Sequence, residues 1–179
     1  RVFKLKKIIK IDIKNYYTYL LKSLIKIENS TFNKRTTGSD LDIFIRRYLL
    51  KYNISYGHGT GHGVGYFNDV HEKYPIISSN FNQRFLKNNL FSVEPGYYSN
   101  NEFGLRLENL YFSKIKDDKL KLSNITLVPY DLDLINWKLL SIKEKKFLKT
   151  YHKKIFNLFK DKFNDFEKNY FIKELINKI

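Results

Sequence analysis

Residues 56–65 read Tyr-Gly-His-Gly-Thr-Gly-His-Gly-Val-Gly, and five of the chain's eight glycines lie in this stretch, at every second position. A helix built that way loses about 1 kcal/mol per glycine relative to alanine. That excludes the arrangement in which two histidines four residues apart share one helical turn. A dinucleotide-binding loop needs glycines at i, i+2 and i+5; here glycine occupies only odd positions, and no Gly-Lys-Ser/Thr follows. What remains is the period of a strand. In an extended chain His58, Thr60, His62 and Val64 share one face and the other face is bare. Bare glycine marks a second backbone passing close by, or a sharp bend. The stretch is therefore expected to be a strand with its two imidazoles roughly 13 Å apart. At that separation they cannot hold one ion together, and at most one of them ligates a given metal.

Two short runs downstream alternate in the same way. In Phe91-Ser92-Val93-Glu94 and Leu105-Arg106-Leu107-Glu108, each carboxylate stands on the face opposite its apolar neighbours. Pro95-Gly96 is expected to turn the chain so that the two strands pair and bring Glu94 and Glu108 together. Like charges that close need a cation or an arginine to compensate them. Arg106 shares the face of Glu108 and could do so as a simple salt bridge. With His62, the two carboxylates make an imidazole-and-oxygen donor set suited to Mn, Zn, Co or Fe. His71, in Asp-Val-His-Glu, is a further candidate.

The rest of the chain frames these runs. Ile13, Tyr17, Leu20, Leu24 and Ile27 recur at helical spacing, predicting a helix over 13–28. Leu41, Phe44, Ile45, Tyr48, Leu49 and Tyr52 form the stripe of a second helix, capped at Thr37 or Ser39. Alternating runs broken by Gly, Pro and Asn fill 57–128 and read as mostly antiparallel strands. Ser141 and Glu144 make a capping box before a helix over 142–160, and a Lys-rich helix is expected from about 164 to the end. Helices, then strands, then a helical tail indicate an α+β fold. No apolar run is long enough to span a membrane, and the absence of cysteine excludes disulfides and thiolate metal sites. The net charge of +15 is nearly all lysine, scattered along the chain. It reads as compositional drift over solvated faces rather than a nucleic-acid footprint. The chain begins at Arg1 and contains no methionine, so it is expected to be the C-terminal portion of something longer.

Taken together, His-Gly-Thr-Gly-His-Gly-Val-Gly with Val-His-Glu, Ser-Val-Glu-Pro-Gly-Tyr-Tyr and Phe-Gly-Leu-Arg-Leu-Glu-Asn-Leu resemble aminopeptidase P, the Xaa-Pro aminopeptidase branch of the pita-bread metallopeptidases. Thr-Leu-Val-Pro-Tyr-Asp-Leu-Asp-Leu-Ile-Asn-Trp is similar to the small C-terminal domain of the cytosolic form. The resemblance is dense from 36 to 155. It implies the C-terminal portion of a pita-bread catalytic domain at 1–116, with its sheet flanked by helices, and a small helical domain at 117–179. It implies two divalent metal ions, Mn before Zn or Co, with His62 and Glu94 on one metal and Glu108 bridging both.

By the same resemblance Glu94 assists as general base, while His58 and His71 are non-ligand histidines that position substrate and stabilise developing charge. Arg106 would order the carboxylates. The implied substrate is a peptide with proline second, cleaved after its first residue by a cytoplasmic homodimer that uses neither membrane nor nucleic acid. Two further aspartate ligands are expected upstream, the nearer one three residues before Arg1. Asp12, Asp40 and Asp42 sit in helical or basic context and do not match them. The 179-residue chain is therefore expected to be inactive alone. A pita-bread binding module without catalysis and a prolidase-type sibling are the alternative readings.

Overall fold

The computed structural model describes residues 1–5, 9–67, 69–100 and 102–179 and divides into two compact units. Tyr19–Thr126 form one unit; Arg1–Thr18 and Leu127–Ile179 form the other. Helix α1 (Ile11–Glu28) supplies residues to both.

The Tyr19–Thr126 unit contains the whole α+β core. Its sheet has six strands in the order β1-β8-β7-β4-β2-β3, every pairing antiparallel. In chain order these are β1 (Thr31–Asn33), β2 (Gly61–Gly63), β3 (Glu72–Ile77), β4 (Leu90–Val93), β7 (Asn109–Lys116) and β8 (Lys119–Asn124). β5 (Gly96–Tyr98) and β6 (Gly104–Arg106) form a separate ribbon. Helix α2 (Gly38–Leu50) opens with Thr37, whose hydroxyl accepts from Asp40 N while Asp40 reaches back, a full capping box. Of the two caps the sequence offered, Thr37 is the one used. Its stripe buries Leu41, Ile45 and Leu49, and the α1 portion of the unit buries Leu20, Leu21, Leu24, Ile25 and Ile27. Phe91, Val93, Tyr111, Leu120 and Leu122 contribute the apolar face of the sheet. The opposite face of the β7–β8 hairpin exposes Lys114 across from Lys121 and Lys116 across from Lys119, one place where the excess charge stands in solvent.

The glycine stretch is a strand only in part. Extended pairing is confined to Gly61–Gly63, while residues 57–60 are irregular. The expectation of close approach holds where the strand forms. A Cβ on Gly61 would lie 2.0 Å from Ser92 O, and one on Gly63 would lie 2.3 Å from Tyr74 O. At Gly57 it would meet nothing within 4 Å. Gly57 therefore sits in a loop with open space around it, Gly59 meets Ile77 O only at van der Waals distance, and the single shared face from His58 to Val64 is not formed.

The hairpin expectation needs a different correction. Pro95-Gly96 does not turn the chain. β4 pairs β7 from Leu90 opposite Phe112 to Val93 opposite Asn109, and β5 pairs β6 from Gly96 opposite Arg106 to Tyr98 opposite Gly104. The register is continuous, so the step between the two ladders sets Glu94 opposite Glu108. The reversal lies farther on, closed by Ser99 N–H donating to Phe103 O at 2.9 Å. Glu94 and Glu108 meet because one long hairpin runs through them.

The second unit is mainly helical. α3 (Ile142–Phe159) starts at the Ser141–Glu144 capping box. The tail is α4 (Asp165–Tyr170), capped by Asn164, continued by a π-helical turn over Phe171–Ile176. Arg1 lies 3.9 Å over the Tyr130 ring and donates to Val128 O and to Tyr151 Oη. His152 is fully buried; its Nδ1–H donates to Leu175 O at 2.7 Å and its Nε2 accepts from Tyr130 N–H at 3.1 Å. No helix among the described residues is long and apolar enough to cross a membrane.

Candidate metal centre

Three side chains expected as ligands converge. One donor atom each of His62, Glu94 and Glu108 lies within 4.8 Å of the others. β2 delivers His62, the end of β4 delivers Glu94, and the residue before β7 delivers Glu108. Glu94 is the most enclosed, buried while His62 and Glu108 are part-exposed.

The hydrogen bonds around them set their chemical form. His62 Nδ1 lies 2.7 Å from Gly63 O. A carbonyl only accepts, so Nδ1 carries a proton and Nε2 is the nitrogen left to face the carboxylates. That nitrogen faces Glu94 Oε1 at 3.1 Å. An imidazole nitrogen and two carboxylates converge there as one donor set. The residues present thus fit a divalent metal bound through imidazole and oxygen.

Ser92 and Arg106 hold the Glu94 carboxylate from two sides. Ser92 Oγ donates to Oε1 at 3.1 Å and itself accepts from His62 N–H, also at 3.1 Å. Arg106 Nη1 approaches Oε2 at 3.4 Å. The better bond of Arg106 goes elsewhere, from Nε to Tyr98 Oη at 2.9 Å. That bond, followed by the charges of Glu94 and Glu108, raises the pKa of its guanidinium above its usual value.

The two remaining histidines part company. His71 is exposed and its ring stands 4.4 Å from that of His62, at the mouth of the donor cluster. His58 is joined to the donors through Tyr98 and Arg106. Its Nδ1–H bonds Gly59 O at 2.7 Å, and in the neutral ring Nε2 accepts from Tyr98 Oη at 2.8 Å. A directed chain results: Arg106 donates to Tyr98, Tyr98 donates to His58, and the other arm of Arg106 reaches Glu94.

Tyr98 is the residue that sequence reasoning missed. Its signal was present in the neighbouring glycines: a Cβ on Gly96 would lie 2.6 Å from Tyr98 Oη, and one on Gly104 would lie 2.9 Å from its ring. Gly104, across the ribbon from Tyr98, and Gly96, two residues earlier on the same strand, leave room for that ring. Ser92 was noted only as an alternation partner.

A model of metallopeptidase family M24 matches residues 1–113. The chain belongs to this family. The model of the C-terminal region of M24 peptidases matches residues 118–177. Among the M24 relatives, a probable Xaa-Pro aminopeptidase P of Arthroderma gypseum is 42% identical over 153 residues, covering 79% of this chain and 24% of the relative. That of Pyrenophora teres f. teres is 38% identical over 151 residues, covering 78% and 23%. The solved X-prolyl aminopeptidase of Caenorhabditis elegans, described as a cytosolic enzyme with a di-nuclear active site, superposes with a TM-score of 0.84 at 25% identity. The match covers 94% of this chain and 29% of that one. This M24 chain thus spans about a quarter of the length of the relatives it matches.

Proposed function

We propose that this chain supplies the His62, Glu94 and Glu108 side of the metal centre of an Xaa-Pro aminopeptidase, which releases the first residue of peptides with proline second. The observation that carries the reading is the convergence of those three donor atoms within 4.8 Å, with the imidazole Nε2 turned toward Glu94. Two divalent cations complete the site, Mn by preference for oxygen and imidazole donors, and upstream aspartates provide the remaining ligands. Bound there, the cations lower the pKa of water toward neutrality and polarise the scissile carbonyl.

The chain's own residues divide the remaining work. Glu94 accepts a proton from the attacking water at its carboxylate and returns it to the leaving imino nitrogen. Ser92 and Arg106 hold that carboxylate in one orientation. His71, exposed at the mouth, donates to the oxygen on which charge develops. His58, fixed by Tyr98, faces the substrate beside it. The working enzyme is a cytoplasmic homodimer, and the 179-residue chain by itself does not turn over.

The test joins the chain to its upstream residues and follows cleavage of an Arg-Pro-Pro peptide. Glu94→Gln should lower turnover by roughly 10²–10⁴-fold, the usual worth of a positioned acid–base group. Normal turnover by that variant, or cleavage by the 179-residue chain alone, would refute the reading.

A further inference from the structure

Asp42 is fully buried, yet nothing in the chemistry above uses it. Arg46, one helical turn on, grips it with a single nitrogen: Nε lies 2.8 and 2.9 Å from its two carboxylate oxygens. The other two guanidinium nitrogens point away from the helix. Nη1 donates to Tyr56 O at 2.8 Å and Nη2 donates to His58 O at 2.6 Å. The guanidinium carbon also lies over the Tyr56 ring, 4.2 Å from its centre. One arginine therefore spans helix α2 and the irregular loop that carries His58.

Thr60 completes the arrangement. Its hydroxyl donates to Asp42 Oδ1, which leaves Tyr56 Oη to donate to Thr60 Oγ1 at 2.6 Å. Burial pushes the pKa of the Tyr56 phenol up to about 12, so it keeps its proton. The backbone of Thr60 then reaches the metal centre directly, since its carbonyl accepts from Glu94 N–H at 2.7 Å. Thr60 N–H also donates to Ile77 O at 2.8 Å, so main-chain bonds hold the end of the loop. The clasp from α2 holds the carbonyls of Tyr56 and His58 ahead of it.

We propose that Arg46, braced by the buried carboxylate of Asp42, is a positioning residue that sets His58 and Glu94 in the metal centre, a role that rests on the metallopeptidase reading above. Lysine cannot substitute, because an ammonium is a point charge that cannot hold a carboxylate and two carbonyls in one plane while stacking on a ring.

The test uses this chain labelled with ¹⁵N-histidine, whose four histidines give a sparse spectrum. His152, in the other unit, is the internal control. In Arg46→Lys the imidazole signals of His58 should move toward their positions in Tyr98→Phe, while His152 stays in place and the thermal unfolding seen by circular dichroism remains cooperative. His58 signals that stay at their wild-type positions overturn the proposal. So does an equal displacement at His152, which would make Arg46 a general stabiliser. Should Arg46→Lys fail to fold, Thr60→Val decides, because it removes the two hydroxyl links and keeps the backbone bonds of residue 60. Displaced His58 and His62 signals then support the clasp, and unmoved signals overturn it. Broadening of the His62 signals by added Mn²⁺ tests the metal reading separately. Its absence would remove that reading while leaving the position of His58 measured.

Discussion

Gly61 is the position where the glycine pattern has a calculable price, and Gly57 is its control. A Cβ on Gly61 would lie 2.0 Å from Ser92 O, 2.9 Å from Ser92 C and 3.2 Å from Ile77 Cδ1. The two nearest atoms are main chain in β4, which is held on its far side by β7, so no side-chain rotation relieves the overlap. Strand β2 would have to part from β4 by more than an ångström. Overpacking costs typically 1–3 kcal/mol, and with backbone on the receiving side Gly61→Ala belongs at the upper end, about 3 kcal/mol. With a urea slope of about 2 kcal/mol/M, that lowers the midpoint by about 1.5 M. Gly57→Ala adds a Cβ into open space and should stabilise by about 0.4–1 kcal/mol through the unfolded chain. Urea unfolding of both variants by far-ultraviolet circular dichroism checks the pair. A Gly61→Ala midpoint within 0.5 M of wild type (about 1 kcal/mol), or a Gly57→Ala variant weaker than wild type, would refute the close-approach argument.

Three further outcomes are expected. His152 is neutral in its buried site, and burial lowers its pKa from 6.5; the unfolded chain binds the extra proton first, so the stability of its unit should fall as pH drops below 6.5. Urea midpoints followed by the single tryptophan, Trp137, at pH 7.5, 6.5 and 5.5 check this, and a midpoint that rises on acidification contradicts it. Asp133 is lowered to about 2 by its hydrogen bonds to Lys178 and Lys4, so its contribution is complete above 3.8 and disappears as pH falls through about 2. The carboxylate is more than a third exposed, so Asp133→Asn at pH 7 should cost less than about 1 kcal/mol, with the difference shrinking in 1 M NaCl. Glu108→Gln should melt higher than wild type in EDTA and lose the stabilisation that Mn²⁺ confers on wild type, as thermal melts with and without the ion will show.

The sequence made the donors legible because alternation assigns faces: Glu94 and Glu108 each had to stand opposite apolar neighbours, and the structure pairs them. The route was misjudged, since Pro-Gly is a strong turn signal and the long hairpin runs straight through it. Nothing in residues 94–96 announces that Leu107 N–H will bond Pro95 O and carry the register onward. The length of the glycine strand was misjudged for a related reason. Glycine alternation over 57–65 looks uniform, but strand geometry needs a partner, and only Gly61 and Gly63 have one. The clasp was hidden because Asp42 and Arg46 stand four apart on a helix, a spacing that ordinarily signals a solvent-exposed ion pair. Only the fold shows that Asp42 is buried and that the arginine's remaining nitrogens reach backbone carbonyls.

The plain alternative for the donor cluster is that Arg106 neutralises two carboxylates on a sheet and nothing more is bound. The geometry argues against it. Two unit charges no more than 4.8 Å apart repel by at least about 3 kcal/mol at an effective dielectric of 20. Arg106 is the cation at hand, yet its side chain is about half exposed, its contact with Glu94 is a long 3.4 Å, and its shorter bond is made to Tyr98. An arginine placed to neutralise would lie flat against a carboxylate through two short bonds. This one instead joins the carboxylate to the Tyr98–His58 chain. His62 turns Nδ1 to the Gly63 carbonyl and only Nε2 to the carboxylates. Serine, arginine, imidazole and backbone thus hold the Glu94 carboxylate in place, the arrangement a site needs if a divalent cation is to bind there.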